Sequence, residues 1–110
     1  MSDINSLIKH LVTFRDERDW KQFHNPKDLA IALSIEAAEL NEVFLWKSNN
    51  DTFDLELMSD ELADVFSYAF LLAESCGLDI QKIVEEKIKK NAIKYPVSEF
   101  KGSAKKYTEI

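Results

Sequence analysis

Glycine and proline are nearly missing from this chain, with two of each among 110 residues. An all-β domain needs many tight turns, and disordered chains are enriched in both residues, so neither class fits. A single cysteine, Cys76, leaves no internal disulfide and no cysteine-based zinc site. It is consistent with a reducing compartment, and a soluble, cytoplasmic protein is expected. No apolar run reaches the ~18 residues that span a bilayer, so no membrane partner is expected. The first residues, MSDINSLIKHLVTF, lack the charged start, continuous apolar stretch and small-residue exit of a signal peptide. Positive charge is scarce as well, 14 Lys and Arg against 20 Asp and Glu, and the shortage is uneven. Residues 1–81 carry 6 basic and 16 acidic side chains, whereas residues 82–110 carry 8 and 4. An acidic body with a basic final segment argues against a nucleic-acid polymer as partner, because duplex binding favours a broad basic face. It suits a small anionic ligand held between metal ions and lysines, or simply a soluble acidic protein with a basic tail.

What the chain does have is helical periodicity. Ile4, Leu7, Ile8, Leu11 and Val12 recur at the spacing of an amphipathic helix, predicted over about Ile4 to Arg18. A polar, aromatic connection follows, DWKQFHNP, and Asn25 before Pro26 marks a helix start. That second helix is predicted to reach about Trp46. A third is predicted from about Asp54 to Cys76, with Gly77 as its cap, and a fourth from Asp79 to about Lys94, before Tyr95-Pro96. Residues 96–110 read as an irregular basic tail. No segment alternates with a period of two. The fold class is all-α, a four-helix bundle within a single domain, residues 1–110.

The two middle helices are apolar on several sides. Leu29, Ile31, Leu33, Ile35, Leu40, Val43, Phe44 and Leu45 point in different directions, and from Leu62 to Ala73 only Asp64, Ser67 and the phenol of Tyr68 are polar. A helix apolar all round needs partners all round, which one small chain can hardly supply. A homodimer or homotetramer centred on these helices is expected.

Acids nevertheless interrupt those apolar faces. At 100° per residue, Leu29, Leu33, Glu36, Leu40 and Val43 share one stripe of the second helix, with Glu39 at its edge. Leu57, Glu61, Asp64, Tyr68, Leu71 and Leu72 share one stripe of the third. Acid pairs three apart are common in so acidic a chain, so their position carries the argument rather than their spacing. Four carboxylates on core-facing stripes need compensation, from basic side chains or from divalent metal. Carboxylate-only ligands suit Mg²⁺, or Mn²⁺, and the lack of a Glu-x-x-His pair disfavours di-iron. The competing reading is that the acids lie on solvent-facing surfaces. On the fourth helix, Lys87 and Asn91 share a stripe with Ile80, Ile83, Val84 and Ile88, and Lys94 and Tyr95 extend that side. Lysine, amide and phenol there could hold phosphate oxygens, or Lys87 could snorkel past an apolar edge.

The segments EAAE and DELAD, with 21 residues between Glu39 and Glu61, together with ERDWKQFHNPKDLAIAL, LW at 45–46, YPVSEF and GSAKKYTEI, carry a resemblance. The chain resembles the MazG-like all-α nucleoside triphosphate pyrophosphohydrolases, in their dCTP pyrophosphatase branch. The resemblance implies that Glu36, Glu39, Glu61 and Asp64 bind Mg²⁺ and catalyse conversion of a nucleoside triphosphate to monophosphate and pyrophosphate. dCTP or a modified pyrimidine deoxynucleotide is the implied substrate, in nucleotide-pool house-cleaning. It further implies phosphate contacts from Lys87, Asn91, Lys94 and Tyr95, a base site lined by Trp20 and Trp46, and a sugar packed on Tyr68. Leu11 departs from the pattern, since some members have histidine there. By themselves Trp20, Phe23 and Trp46 could merely fasten the connection and cap the core, and His24 reads as a structural or surface residue. Lys105, Lys106 and Tyr107 either fold over the triphosphate or form a tail. The alternative from another class is a non-catalytic dimeric helical module that binds nucleotides or other partners. Same-fold alternatives act on dUTP or phosphoribosyl-ATP.

Overall fold

The computed structural model of the protein describes residues 3–109. Its helices are α1 (Asp3–Glu17), α2 (Pro26–Glu42), α3 (Leu55–Ser75), α4 (Ile80–Lys94) and a short α5 (Val97–Phe100). No strand occurs among the described residues, so the class is all-α as the periodicity predicts. None of their helices is long and apolar enough to cross a membrane.

The helix ends follow the capping chemistry of the sequence. The Asn25 side chain accepts from the Asp28 N–H at 2.9 Å, with Pro26 in the first turn of α2. Asp54 and Asp79 do the same at 3.0 Å for Leu57 on α3 and Lys82 on α4. Gly77, at φ +67°, ends α3. The Leu78 N–H donates to the Ala73 carbonyl at 2.9 Å, and that of Gly77 to Glu74 at 3.1 Å, the paired bonds of a Schellman end. Two boundaries differ from expectation. α2 stops at Glu42 rather than near Trp46, because the chain tightens into i→i+3 bonds from Val43, Phe44 and Leu45. The tail is not wholly irregular: α5 forms after Pro96 and buries Phe100 edge-on to Tyr95, with ring centres 4.8 Å apart.

The chain divides after Leu78 into two compact units. In the first, α2 packs along α3, and α1 also lies against α3. The α2 stripe faces inward as its spacing requires, with Leu29 only 1% exposed and Val43 buried, while Ile31 and Ile35 on the flank stay exposed. From α3, Leu71 and Ala73 join this core. The second unit holds α4, α5 and a 3₁₀ turn at Tyr107–Glu109. Within it Tyr95 contacts both Phe100 and Tyr107, whereas Val84, Ile88 and Ile93 are exposed. Apolar side chains exposed on α2 and α3 match the sequence pattern of helices that are apolar on several sides.

Leu29 is the large side chain that the fold buries most completely among the described residues, so its truncation leaves a cavity. Leu29→Ala is expected to lower the unfolding free energy by about 2–5 kcal/mol in urea titration. A loss below about 1 kcal/mol would mean that α2 does not bury this face.

Candidate metal centre and adjoining cavity

The packing of α2 on α3 brings three of the four acids together. One carboxylate oxygen each from Glu36, Glu39 and Glu61 lie within 4.8 Å of one another. Glu36 and Glu61 are half-buried, and Glu39 is exposed at the edge of its stripe. Glu36 Oε2 and Glu61 Oε2 are buried without a hydrogen-bond partner. Asp64, one turn beyond Glu61, stands outside the triplet and is exposed, yet its charge acts on both half-buried acids.

The electrostatic consequence is large. Burial, a hydrogen bond with Glu39 and the charges of Glu39, Asp64 and Glu61 together push the Glu36 carboxyl up to about 7. Burial and Glu39 raise Glu61 as well. Among the described residues of this unit, no ion pair joins a basic side chain to these acids. The ion pairs of this unit lie elsewhere: Arg15 with Asp16 and Glu74, Arg18 with Glu17, and Lys27 with Asp28. A divalent cation is the other form of compensation that the sequence left open. An all-oxygen donor set with two orphaned buried oxygens fits a hard divalent ion such as Mg²⁺. Glu36, Glu39 and Glu61 would hold it.

Asp64 also lines a cavity of about 340 Å³, so the acid cluster and this cavity adjoin. α1 contributes Leu11, Phe14 and Arg15, the connection contributes Trp20 and His24, and α3 adds Tyr68. Several contacts fix Trp20. Its N–H donates to the Arg15 carbonyl at 3.1 Å. Its ring meets Phe14 edge-on at 5.8 Å, and the Arg18 guanidinium covers the other ring at 3.6 Å. Tyr68 keeps its proton: burial, then the charges of Glu36, Asp64 and Glu39, raise its phenol. The His24 ring lies edge-on to Tyr68 at 6.4 Å, and its Nδ1 is buried without a partner. Burial and the charge of Arg15 lower the His24 pKa, favouring neutral imidazole.

Arg15 and His24 are not marked as functional by any pattern in the sequence. Leu11 and Arg15 are one helical turn apart, which places both on one side of α1. That spacing was available in the sequence, but no pattern of neighbours marked the arginine as buried. Trp46 does not line this cavity. It is 93% exposed on a left-handed backbone, φ +63°, a conformation rare for so bulky a residue. Lys87, Asn91, Lys94 and Tyr95 all belong to the second unit. There Lys87 and Asn91 share a shallow face of α4 with Ile83, Val84 and Ile88. The Tyr95 N–H donates to the Asn91 carbonyl at 2.8 Å, and Lys94 Nζ lies 5.1 Å from the Tyr107 ring centre. Tyr107 is thus packed onto the end of α4 through Tyr95 and Lys94.

Helices that converge paired acids beside an aromatic cavity define a class, and comparison with known proteins names it. A model described as the MazG-like family matches residues 31–110, and the chain belongs to that family. Within it, the chain is similar to dCTP pyrophosphatase 1 of Mus musculus, 39% identical over 104 residues, 88% of this chain and 61% of that protein. Human dCTP pyrophosphatase 1 is 36% identical over the same length, again covering 88% and 61%. The chain therefore spans about three fifths of the length of these relatives. A crystal structure of a pyrophosphatase from Archaeoglobus fulgidus superposes with a TM-score of 0.78 at 35% identity, covering 87% of this chain and 94% of that one.

The raised Glu36 pKa gives a stability test. A carboxyl whose folded pKa lies above its unfolded value supports the fold fully below the unfolded value, and that support is lost as pH rises through about 7. His24, with a lowered pKa, works in the opposite direction below its ordinary value. Comparison with Glu36→Gln isolates the carboxyl. Without divalent cations, the melting temperature of the wild type should fall relative to that of Glu36→Gln between about pH 5 and about pH 8. Mg²⁺ should restore several degrees at the upper pH in the wild type and little in the variant. Parallel pH profiles for the two proteins would remove Glu36 from the crowded cluster.

Proposed function

We propose that this protein is a Mg²⁺-dependent nucleoside triphosphate pyrophosphohydrolase, releasing pyrophosphate from dCTP or a modified pyrimidine deoxynucleotide in the cytoplasm. The observation that carries the reading is the uncompensated carboxylate triplet of Glu36, Glu39 and Glu61 beside a cavity lined by Trp20 and Tyr68. The names of the similar proteins, dCTP pyrophosphatase 1 and pyrophosphatase, support it.

The geometry divides the work. When bound, Mg²⁺ supplies charge neutralisation for a triphosphate and makes water acidic enough to act as a nucleophile near neutral pH. Glu36, Glu39 and Glu61 would hold and orient that ion, with Asp64, which lines the cavity, completing the set. Water adds across the α–β phosphoanhydride of the nucleotide, breaking that P–O bond and giving a monophosphate and pyrophosphate. In the cavity, Trp20 offers a face on which a base can stack. Tyr68, under the negative potential of the acids, stays protonated and packs against the sugar. Lys87, Asn91, Lys94 and Tyr95 are assigned to the phosphates as point charge and directional donors. Trp46, held out on a strained backbone, adds little to the core of its own chain, and we assign it to base contact.

A panel of nucleotides with and without Mg²⁺, followed by pyrophosphate release, tests the chemistry. dCTP and its 5-modified forms are expected to be turned over with Mg²⁺ only. Glu61→Gln is expected to keep the helical fold and lose at least the ~100-fold that even an outer partner of a metal ligand can cost. Binding without turnover across the whole panel would instead identify a non-catalytic nucleotide-binding module.

The exposed apolar faces belong to the same reading. Ile31, Ile35, Phe66 and Ile88 are about half exposed or more in the single chain. We assign them to contacts in a homodimer or homotetramer that completes one functional domain from residues 1–110. Light scattering is expected to give at least twice the 12.7 kDa of one chain, and Phe66→Asp a smaller particle. A monodisperse monomer would refute this assembly.

A further inference from the structure

Arg15 is the charged side chain that this fold buries among its described residues, at 3% exposure. Acids from two elements hold its guanidinium. Nε and Nη2 each lie 2.9 Å from Asp16 Oδ1, and Nη1 lies 3.0 Å from Glu74 Oε2. A guanidinium has five N–H groups, so these contacts leave one donor on each terminal nitrogen. Arg15 also lines the cavity beside Asp64. Its charge is already met by two carboxylates, which makes it a poor site for a phosphate. What it retains is one N–H on each terminal nitrogen, on a side chain that lines the cavity, and such donors suit neutral acceptors.

The other polar groups of the cavity narrow the ligand. The Ser67 hydroxyl donates to the Ala63 carbonyl at 2.9 Å and so presents only lone pairs to the cavity. Neutral His24 offers one donor and one acceptor. Trp20 and Tyr68 supply walls for a flat ring. An arginine pair matches a ring edge with two adjacent acceptors, and an acceptor-only hydroxyl matches an exocyclic amine. Cytosine carries that set: O2 and N3 accept, and the N4 amine donates. Uracil and thymine place an N3–H donor against the arginine and a carbonyl where the amine would be.

We propose that Arg15 is the specificity-determining residue of this cavity, its free N–H groups reading the O2/N3 edge of cytosine. The inference rests on the reading of the cavity as the base site, but not on turnover. It is tested with the full chain by calorimetric titration of dCMP and dUMP without divalent metal. The wild type is expected to bind dCMP about tenfold or more tightly than dUMP. Arg15→Met is expected to bring the ratio close to one. The partner acids have side chains 51% and 36% exposed, so the substitution strands no buried charge and the fold should survive. Should Arg15→Met fail to fold, Arg15→Lys carries the same test, since it keeps the charge and loses the fork. A wild type that does not discriminate, or a ratio that survives in the variant, overturns the proposal, because a purely structural arginine would change stability and not the ratio. Base discrimination without pyrophosphate release would leave this inference standing and sink the proposed reaction; release with an Arg15-independent ratio would do the reverse.

Discussion

The packing of α2 on α3 must accommodate Glu36, Glu39 and Glu61, whose carboxylate oxygens lie within 4.8 Å of one another. Leaving an ion buried and unpaired costs several kcal/mol, against a total stability of about 5–15 kcal/mol for a domain. Here Glu36 and Glu61 are half-buried beside an exposed Glu39, so full charge on all three is disfavoured unless a cation compensates it. Without a cation the structure sheds charge at Glu36, whose carboxyl is pushed up to about 7. On the proposed metal reading, proton and cation compete for one cluster, and a cation that binds near neutrality displaces a proton. The core supplied by Leu29, Val43, Leu71 and Ala73 is what holds the helices close enough for that competition to exist.

Arg15 shows the opposite solution to the same problem. It is more deeply buried than any of the acids, yet it meets two carboxylates from α1 and α3. Its pKa is not depressed, because the hydrogen bonds and charges of Asp16 and Glu74 outweigh desolvation. The compensated cation and the uncompensated anions approach the same cavity, where Arg15 and Asp64 both line the wall. The cavity thus has a donor side that is electrically quiet and an acid side that attracts cations. A ligand with a neutral ring and a metal-binding anionic group fits that polarity in one orientation only.

Much of this was legible in the sequence, for specific reasons. The caps at Asn25, Asp54 and Asp79 are local, so the starts of α2, α3 and α4 could be read from neighbours in the chain. The inward stripe Leu29, Leu33, Glu36, Leu40 and Val43 follows from helix geometry, and it placed Glu36 on the buried side. The convergence of α2 with α3 at Glu61 is tertiary, and there family resemblance carried more than periodicity. Asp64 was expected inside the cluster; it stands outside the close triplet, exposed one turn beyond Glu61, and lines the cavity. Arg15 was invisible because its partner Glu74 is 59 residues away, and no local pattern reports such a pair. His24 was passed over because its polar neighbours suggested a loop surface, although the start of α2 just beyond it fixes the connection.

The remaining tension is between stability and exposure. Ile88 and Ile93 on α4, Phe66 on α3 and Ile35 on α2 are too many and too large to be incidental surface residues of so small a chain. A small domain buries a limited share of its surface even when well packed. Here helix length is spent on faces that have no partner within their own unit, while the acids take up part of the inward stripe. Moving the acids outward would enlarge the core and dissolve the cluster. Covering the outer faces with another copy adds apolar burial without touching it. Only the second route keeps the carboxylates crowded, so the proposed association and the acid centre would answer one constraint: α2 and α3 cannot devote their shared face wholly to packing.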